Sequence, residues 1–594
     1  MIENLLIDKT LEAIQSLYGQ SISEKSISLQ KTRKDFEGDY TLVVFPLLKI
    51  SQAKPEETAQ TLGAWFLEHV EDVSAFNVVK GFLNLVVADS YWLDFYSKAK
   101  DKANFGIAES HEGAPVVIEY SSPNTNKPLH LGHIRNNLLG FSLAKILKAA
   151  GKNVLKVNLV NDRGIHICKS MLAWKKWGNG ETPASAGMKG DHLVGKYYVL
   201  FDMYYKAEIK ELVENGMDEE LAEKEASVLM EAQEMLLHWE EQNPEVRELW
   251  EMMNDWVYEG FAETYNRLGI DFDKVYFESE TYLLGRELVH EGLEQGVFYR
   301  KENGSVWCDL SDVGLDEKLL LRADGTSVYM TQDLGTAQLR YDEFKPERLV
   351  YVVGNEQNYH FDVLQKILKK MSRTWADGIM HLSYGMVELP HGRMKSREGN
   401  VVDADDLMEE MYLTARKTAE ELGKIDAFTD SEKDSLFKML SLGALKYYML
   451  KVDPKKTMLF NPEESIDFNG NTGPFVQYTH ARICSLSRKA AEKGLVLDQS
   501  AMPAVLLHAE KEIIKLAFDF ENIIREAANN YSPALIANYV YELAKGFNHL
   551  YQSLPILRDT DAPTASFRLT LAAFTGSIIQ KGMDLLGIGV PEKM

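Results

Sequence analysis

The chain has 594 residues, a formal net charge of −24 and a pI near 5.1, with 45% hydrophobic and 26% charged residues. This length allows roughly three to five domains, and the composition is that of a globular protein. No apolar run approaches the roughly 20 residues that span a bilayer, which argues against a membrane protein. The acidic, amphipathic N-terminus resembles neither a signal peptide nor a transit peptide.

The three cysteines, Cys168, Cys308 and Cys484, are widely spaced. Their spacing argues against a disulfide framework or a zinc knuckle and favours a reducing, cytoplasmic location. The acidic total charge counts against a nucleic-acid partner, because such proteins usually carry a basic surface. A nucleic-acid partner therefore requires basic residues that are gathered into patches.

Residues 1–110 predict a small α+β domain. An amphipathic helix runs to Tyr18, a second helix is expected over Ala53–His69, and the run Val78–Val87 predicts one strand. Composition alone allows this unit to be an accessory domain without chemistry of its own.

From 111 to 460, strands alternate with helices, which predicts a Rossmann-like parallel sheet covered on both faces. Its first strand is expected at Val116–Tyr120, followed by a turn and a helix from Leu131 to about Ala150. Further strands are expected at Val154–Val160, Ser305–Leu310, Leu349–Val353 and Ile379–Val387. Long acidic helical segments between about 170 and 320 predict an insertion, and a linking segment is expected at about 400–460.

The start of the Leu131 helix is the most informative stretch. Its first N–H groups are unpaired, and the helix dipole favours an anion there. His130 and His133 lie three apart on this turn and can donate hydrogen bonds to a phosphate, while Gly132 leaves room for a nucleobase and Lys127 adds a cation. A capped surface helix or an incomplete metal site would also carry an HxxH pair, although no cysteine or carboxylate cluster completes a metal site nearby.

A second chemical feature is the basic loop that contains Arg393–Arg397. It lies between a predicted strand and a helix that begins near Asp405, and it is bounded by glycines. Arginine and lysine on such a loop can hold a triphosphate. A basic surface loop without this role has the same composition.

Residues 461–594 predict an all-α helical bundle. Arg482, Lys489 and Lys493 recur seven and four residues apart and form a basic stripe on one helix face. Such stripes are usually solvated surface, but this one offers positive charge to a phosphate backbone in an acidic protein.

Four ordered motifs together resemble one family. These are EYSSPN with KPLHLGHIR (Glu119–Arg135), RMKSR (Arg393–Arg397), the GDY and GFLN runs near the N-terminus, and NTGPFVQYTHAR (Asn471–Arg482). They are similar to the signatures of class I aminoacyl-tRNA synthetases, and specifically to the arginyl branch. The resemblance covers essentially the whole chain.

The resemblance implies ATP-dependent activation of L-arginine to arginyl-adenylate and its transfer to the 3′ terminal adenosine of tRNA(Arg), with ATP and Mg²⁺ as cofactors. The resemblance also implies that activation depends on bound tRNA. It assigns the catalytic turn to His130, His133, Lys127 and Gly132. It assigns ATP binding to His130, Gly132, His133, Met394, Lys395, Ser396 and Arg397. The basic loop Arg393–Arg397 departs from the family's KMSKS pattern, because Ser396 stands where the second lysine is usual. Lys127 is the cation expected to compensate.

A guanidinium pocket needs a bidentate carboxylate and a flat wall. The resemblance assigns arginine binding to Glu119, Ser121, Asn124, Tyr329, Asp333 and Gln357. It assigns tRNA contacts to Phe82 and Asn84 at the tRNA corner, and to Gln477, Tyr478 and Arg482 in an anticodon-binding bundle. We expect a monomer. Two alternatives stay open: a nucleotidyltransferase that uses the same HxGH helix without tRNA, and a non-catalytic tRNA-binding homologue.

Overall fold

The computed structural model describes residues 2–33, 35–109, 111, 113–389, 402–421, 428–495, 498–558 and 560–594. The chain divides into two compact units. One comprises Met1–Phe105, Leu486–Asp519 and Lys545–Thr575, and the other comprises Gly106–Ser485, Phe520–Ala544 and Gly576–Met594.

The N-terminal part of the first unit confirms the predicted α+β class. A four-stranded antiparallel sheet has the strand order β1-β2-β4-β3. Its elements are α1 (Ile2–Tyr18), β1 (Ser28–Lys31), β2 (Tyr40–Val43), α2 (Leu48–Ser51), α3 (Pro55–His69), β3 (Val73–Val79), β4 (Phe82–Val87) and α4 (Asp89–Ala99).

The prediction of a single strand over Val78–Val87 is wrong. Lys80 and Gly81 both have positive φ, at 51° and 79°, and they reverse the chain into an antiparallel hairpin of β3 and β4. Two consecutive left-handed residues form the tight turn that matches the twist of a hairpin. Lysine is uncommon at such a position, which is why the apolar run on both sides hides the turn in the sequence.

The second unit contains the predicted parallel sheet. Five strands lie in the order β12-β11-β5-β6-β7, and every neighbouring pair is parallel. The strands are β5 (Val116–Glu119), β6 (Val154–Val160), β7 (Lys274–Phe277), β11 (Arg348–Gly354) and β12 (Ile379–Tyr384), and the helices that follow β5, β10 and β11 are α5 (Leu131–Ala149), α14 (Tyr329–Phe344) and α15 (Asn358–Lys370). One face of this sheet packs Val117, Val157 and Leu349 into a buried apolar core.

Helices and a small sheet fill the sequence between β6 and β11. A three-stranded antiparallel sheet has the order β10-β9-β8. The elements are α6 (Ile165–Trp177), α7 (Pro183–Ala186), α8 (Gly190–Glu214), α9 (Glu219–Glu225), α10 (Ser227–Glu240), α11 (Pro244–Leu268), α12 (Glu278–Thr281), α13 (Leu284–Glu294), β8 (Phe298–Arg300), β9 (Val306–Cys308) and β10 (Lys318–Leu321). Because β7 belongs to the main sheet, it divides the region predicted as an insertion into two parts.

The strand predicted over Ile379–Val387 is only partly correct. β12 ends at Tyr384, and β13 (Val387–Glu388) pairs in parallel with β14 (Met458–Leu459) in a separate two-stranded sheet. Between them, the backbone N–H of Gly385 donates to Pro454 O at 2.9 Å. A Cβ at Gly385 would lie 2.5 Å from Lys456 C, so this close approach requires glycine and bends the chain out of the main sheet.

The remaining chain is helical, as predicted. The helices are α16 (Ala404–Glu421), α17 (Asp430–Leu450), α18 (Pro462–Ser465), α19 (Gly473–Glu492), α20 (His508–Phe518), α21 (Phe520–Asn530), α22 (Pro533–Ser553) and α23 (Ala562–Leu585). Among the described residues, no helix combines the length and the apolar character that crossing a membrane requires.

Candidate active site

A cavity of about 970 Å³ opens at the carboxyl ends of β5, β6, β11 and β12. After β5 the chain passes to β6 on one side, whereas β11 lies on the other side of β5. This is the topological switch point where parallel α/β sheets bind ligands. The lining includes the first turn of α5, the first turn of α14 and the ends of the central strands. The predicted phosphate turn and the predicted arginine pocket therefore face one cavity.

The first turn of α5 is closed by two reciprocal hydrogen bonds. His130 is the N-cap, and its Nδ1 accepts from the backbone N–H of Gly132 at 3.1 Å. His133 reaches back, and its Nδ1 accepts from the backbone N–H of His130, also at 3.1 Å. The ring centroids are 3.9 Å apart. Both imidazoles are therefore held by backbone donors that a helix start would otherwise leave unpaired.

These hydrogen bonds determine which ring nitrogen carries the proton. A neutral imidazole accepts at one nitrogen and donates from the other, so the occupied Nδ1 atoms place both protons on Nε2. Burial, with the charge of Lys127, lowers the pKa of His130 to about 4. Burial, His130 and Lys127 lower the pKa of His133 well below its usual range. Both half-buried rings line the cavity as neutral Nε2–H donors at pH 7.

Gly132 and Lys127 occupy different places. Gly132 lines the cavity, and a Cβ there would come 3.0 Å from His130 Cε1, so the bare glycine lets the His130 ring fold over this turn. Lys127 is half-buried and does not belong to the cavity lining, but its charge acts on both imidazoles. Of these two residues, which the sequence analysis grouped around the helix start, only Gly132 lines the cavity.

A strained turn joins β5 to this helix. Ser121 and Ser122 both have positive φ, at 77° and 48°. The N–H of Ser121 donates to Asn136 Oδ1 at 2.6 Å, and the N–H of Ser122 donates to Asn158 Oδ1 at 2.9 Å. Consecutive left-handed residues other than glycine persist only where their surroundings over-determine them. Ser121 lines the cavity, whereas Asn124 is exposed and lies outside the lining.

The predicted guanidinium residues lie on one side of the cavity. Tyr329 and Asp333 face it from the first turns of α14, and Gln357 faces it from the segment that follows β11. His360 Nε2 is 2.5 Å from Asp333 Oδ2, and the His360 ring is 5.0 Å from the ring of Tyr329. The Asp333 carboxylate raises the pKa of the Tyr329 hydroxyl, which stays protonated as a donor, although Tyr329 is itself 63% exposed.

Glu119 is engaged more fully than the sequence suggests. Its Oε2 pairs with Arg340 Nη1, and its Oε1 accepts from Ser122 Oγ at 2.9 Å. The Arg340 side chain is 1% exposed. Burial opposes the charge of Arg340, but the Glu119 carboxylate and two nearby tyrosines outweigh burial and raise its pKa. Glu119 therefore brings a neutralised ion pair to the cavity wall rather than a free negative charge.

Glu278 lies outside the cavity lining but interacts electrostatically with the predicted arginine pocket, and the sequence analysis did not single it out. It begins α12 directly after β7, and its charge interacts with both Asp333 and Tyr329. The pKa of Glu278 is raised to about 7, mainly by burial, with Asp162 and Asp333 contributing to the rise and Arg163 opposing it. The detectable signal was its place immediately after a strand of the main sheet. Its electrostatic coupling to α14 depends on folding and is invisible in the sequence.

The predicted ATP residues Met394, Lys395, Ser396 and Arg397, with Arg393, lie outside the described residues. The described residues on either side of that segment, Leu389 and Val402, line the cavity. The backbone N–H of Leu131 donates to Val402 O at 2.9 Å. The chain that follows the basic segment is thus paired with the phosphate turn itself.

The two N-terminal candidates for tRNA contact differ in accessibility. Asn84 is buried within the four-stranded sheet, where its amide donates to Asn77 Oδ1 at 2.9 Å and accepts from Thr41 Oγ1 at 2.6 Å. Phe82 is half-buried and makes an edge contact with Phe45, with ring centroids 5.4 Å apart. Phe45 is itself exposed. The aromatic pair, and not the amide, forms an accessible surface.

The candidates on α19 also differ. Gln477 is fully buried, and its amide donates to Met439 O at 3.0 Å and to Gly589 O at 2.8 Å. Tyr478 and Arg482 are half-buried, with the Arg482 guanidinium 4.8 Å from the centre of the Tyr478 ring. Lys489 is exposed on the same helix, and Lys493 follows its last residue.

Comparison with known proteins matches two family models in order. Residues 98–461 match the model of tRNA synthetases class I (R), catalytic domain, and residues 476–594 match the DALR anticodon binding domain. The chain is 56% identical over 596 residues to the arginine–tRNA ligases of Bacteroides thetaiotaomicron and Bacteroides fragilis, with 100% of each chain covered.

Solved structures agree in fold. The arginyl-tRNA synthetase of Thermus thermophilus matches with a TM-score of 0.76 and 25% identity, covering 100% of both chains. That of Plasmodium falciparum matches with a TM-score of 0.77 and 17% identity, covering 100% of this chain and 99% of the other. At 17% identity, the similarity to the Plasmodium falciparum structure shows the fold alone.

The histidine geometry predicts a specific protonation pattern. Long-range ¹H–¹⁵N correlation spectra of ring-labelled protein should show His130 and His133 as neutral Nε2–H tautomers throughout pH 6 to 8, because His130 titrates only near pH 4 and His133 also titrates well below its usual range. Assignment would use His130→Gln and His133→Gln. A ring that gains its second proton near pH 6.5 would contradict this assignment of the donors.

Proposed function

The chain belongs to the class I arginyl-tRNA synthetase family, and on this premise we propose which of its residues carry out the reaction. The enzyme activates L-arginine with ATP to form arginyl-adenylate and pyrophosphate, and then transfers the arginyl group to the 3′ terminal adenosine of tRNA(Arg). Full-length similarity to arginine–tRNA ligases disfavours both a small-molecule nucleotidyltransferase and a non-catalytic homologue. The observation that carries the residue assignment is the pair of neutral imidazoles at the start of α5.

In the activation step, an arginine carboxylate oxygen attacks the α-phosphorus, the bond to the bridging oxygen breaks, and pyrophosphate leaves. Negative charge grows on the α-phosphate oxygens in the transition state. His130 and His133 donate from Nε2 to these oxygens, and the start of α5 adds the positive end of its dipole. Because both rings are already oriented by backbone N–H groups, little reorganisation is needed when the charge develops.

Tyr329, Asp333 and Gln357 form the arginine pocket in this proposal. The Asp333 carboxylate accepts from the guanidinium, the Tyr329 ring supplies a flat wall, and Gln357 holds the backbone end of the amino acid. Glu278 adds negative charge beside Asp333. Glu119 supports the wall through its ion pair with Arg340, and Ser121 offers its hydroxyl at the same strand end. Asn124 enters the site only if ligand binding moves it.

The adenine base lies against the first turn of α5 in this proposal, where Gly132 lines the cavity. Lys127 and the basic segment Arg393–Arg397 supply positive charge for the β- and γ-phosphates. Magnesium prefers oxygen ligands and is usually held by substrate phosphates with one or two carboxylates. The cavity rim fits such an ion, since the exposed carboxylates Glu356 and Glu388 line it, while Glu119 is paired with Arg340 and Asp333 accepts from the guanidinium in this proposal. Bound there, Mg²⁺ would neutralise phosphate charge.

The DALR domain implies recognition of tRNA near the anticodon. Tyr478 and Arg482 support this contact by offering a ring for base stacking and a cation for phosphate. In the N-terminal domain, Phe82 with Phe45 offers a stacking surface, whereas the buried Asn84 and Gln477 hold the protein structure around these surfaces. We further propose a monomer that works in the cytoplasm, where its three free cysteines remain reduced.

The proposed activity is tested by ATP–pyrophosphate exchange across the twenty amino acids, with and without tRNA. We expect arginine to be the one amino acid of the twenty that supports exchange, because the pocket supplies paired acceptors that only a guanidinium satisfies in full. We also expect tRNA(Arg) to stimulate this exchange. Lysine is the informative competitor, since it carries the same charge without the planar fork. Equal exchange with lysine would overturn the pocket assignment.

The role of His133 is tested by two substitutions that each retain one of its ring functions. In His133→Asn, the side-chain oxygen can replace Nδ1 as the acceptor for His130 N–H, but the Nε2 donor is lost. We expect the exchange rate to fall about 100-fold or more, as for a lost transition-state donor, with the fold retained.

His133→Gln provides the converse control, because its amide N–H can reach the Nε2 position while the acceptor for the helix cap is lost. We expect lower thermal stability, by about 1 kcal/mol, and a smaller loss of rate. If the asparagine variant kept normal exchange and the glutamine variant did not, the cap would matter and the phosphate donor would not.

The raised pKa of Glu278 predicts how arginine binding depends on pH. A bound guanidinium favours the charged carboxylate, so binding weakens as Glu278 becomes protonated. The KM for arginine should therefore rise as the pH falls through about 7, the pKa of Glu278 in the free enzyme. In Glu278→Gln, the KM should be raised at pH 8 and independent of pH around neutrality. Glu280→Gln, on the same turn but exposed, should retain the wild-type profile.

A further inference from the structure

The start of α8, in the helical region between β6 and β7, carries a charged cluster that reaches the start of α16. Lys189 Nζ donates to Asp405 Oδ2 at 2.6 Å, to Asp191 Oδ2 at 3.2 Å and to Thr264 Oγ1 at 2.5 Å. Thr264 lies on α11. A single ammonium group thus connects α8 and α11 to the first turn of α16.

The residues just before Asp405 are paired with the phosphate turn. Leu131 N–H donates to Val402 O, and Ala404 N–H donates to Leu129 O, each at 2.9 Å. These two hydrogen bonds lie on either side of His130, which forms a bridge with Asp403. The position of His130 therefore depends on where residues 402–404 are held.

Asp403 and His192 complete the connection. The backbone N–H groups of Asp405 and Asp406 donate to Asp403 Oδ1 at 2.8 and 3.2 Å, which caps α16. His192 Nε2 lies 3.2 Å from Asp405 Oδ2 and 3.5 Å from Asp403 Oδ2. Both carboxylates that fix the start of α16 thus face the first turn of α8.

The same helix also supports the chain on the other side of His130. A Cβ at Gly195 would lie 3.0 Å from Pro128 Cδ and 3.6 Å from Lys127 Cα. α8 therefore packs directly against the backbone that carries Lys127. One helix contacts both the chain that leads into the phosphate turn and the chain that pairs with it.

The cluster is supplied with its own cation. One ligand atom each from Asp191, His192 and Asp405 lies within 4.8 Å of the others, a spacing that would suit a metal ion. Lys189, however, already places its ammonium between the two carboxylates. Because the Asp191 side chain is fully buried, its charge requires this partner. The arrangement is that of an internal ion pair between chain segments.

We propose that Lys189 and Asp405 are positioning residues for the activation step: their ion pair holds residues 402–404 against the phosphate turn and so fixes His130 at the α-phosphate. This role rests on the proposed function of His130. It gives the helical region between β6 and β7 a direct part in activation, while the arginine pocket on α14 and beyond β11 is supported by other elements.

The test compares two adjacent aspartates on α16. Asp405→Ala removes the ion pair with Lys189, whereas Asp406→Ala removes a neighbouring exposed carboxylate from the same helix turn. In arginine-dependent ATP–pyrophosphate exchange, we expect Asp405→Ala to lower kcat about tenfold or more, as for a misplaced catalytic group. The KM for arginine should change by less than about twofold, because the arginine pocket keeps its contacts. Asp406→Ala should match the wild type.

Thr264→Val provides a second test with little change in shape. It removes the hydroxyl that contacts Lys189 and Asp405 at 2.5 and 3.3 Å, and it should lower kcat about threefold with the same unchanged KM for arginine. This variant decides the question if Asp405→Ala does not fold, as judged by its thermal unfolding midpoint. The double variant should lose no more than Asp405→Ala alone, because both changes break one network.

Three outcomes separate the possibilities. Wild-type kcat in folded Asp405→Ala or in Thr264→Val would overturn the positioning role. Equal losses in Asp405→Ala and Asp406→Ala would also overturn it, because the effect would then belong to helix charge in general. If the wild type and Asp406→Ala showed no arginine-dependent exchange in the presence of tRNA(Arg), the proposed function itself would fail.

Discussion

The reciprocal pairing of two imidazoles with backbone N–H groups is the constraint on which the site depends. A helix start leaves its first N–H groups without partners, and here Gly132 N–H and His130 N–H donate to His130 Nδ1 and His133 Nδ1. The same two contacts cap α5 and set the ring tautomers. Stability and chemistry therefore have a common origin, since a ring that turned to use Nδ1 elsewhere would also leave a backbone donor unpaired.

Two acidic side chains of the cavity, Glu119 and Asp333, each lie beside a basic side chain, but only one of the two is neutralised by a buried partner. Glu119 is neutralised by the buried Arg340, and Asp333 faces the cavity with His360 at 2.5 Å. The Arg340 side chain in the cavity wall thus neutralises Glu119, while the Asp333 carboxylate stays available to a ligand. This arrangement lets an acidic cavity bind a guanidinium without gathering several unpaired carboxylates, which would repel one another and raise their own pKa values.

The sequence predicted the elements that periodicity and local chemistry specify. The parallel sheet, the helix after Leu131 and the helical C-terminal region were all found, because their patterns are long or follow recognisable turn residues. It failed at two changes of direction. Lys80 adopts a left-handed turn that the apolar run on both sides hides, and β12 stops at Tyr384 because the chain packs closely against a distant segment at Gly385.

The site shows the same division. His130, Gly132 and His133 could be grouped from their spacing, since three residues on one helix turn must be neighbours. Glu278, Arg340 and His360 could not, because their partners lie 27 to more than 200 residues away and meet only when the sheet is assembled. For Gln477 the sequence was misleading in the other direction. Its position in a recognisable motif suggested a tRNA contact, but its amide donates to two backbone carbonyls inside the protein.

The ion pair between Lys189 and Asp405 explains how a local motif can require a distant segment. A capped helix turn fixes the ring tautomers, but it does not fix where that turn lies relative to the rest of the cavity. Residues 129–131 therefore need a second strand-like partner, which residues 402–404 supply through two backbone hydrogen bonds. That partner is in turn held by the start of α8. Because α8 also packs on Pro128, the same helix contacts residues 402–404 through Asp405 and the phosphate turn through Pro128. A shift of either segment would therefore be resisted by its close packing against α8.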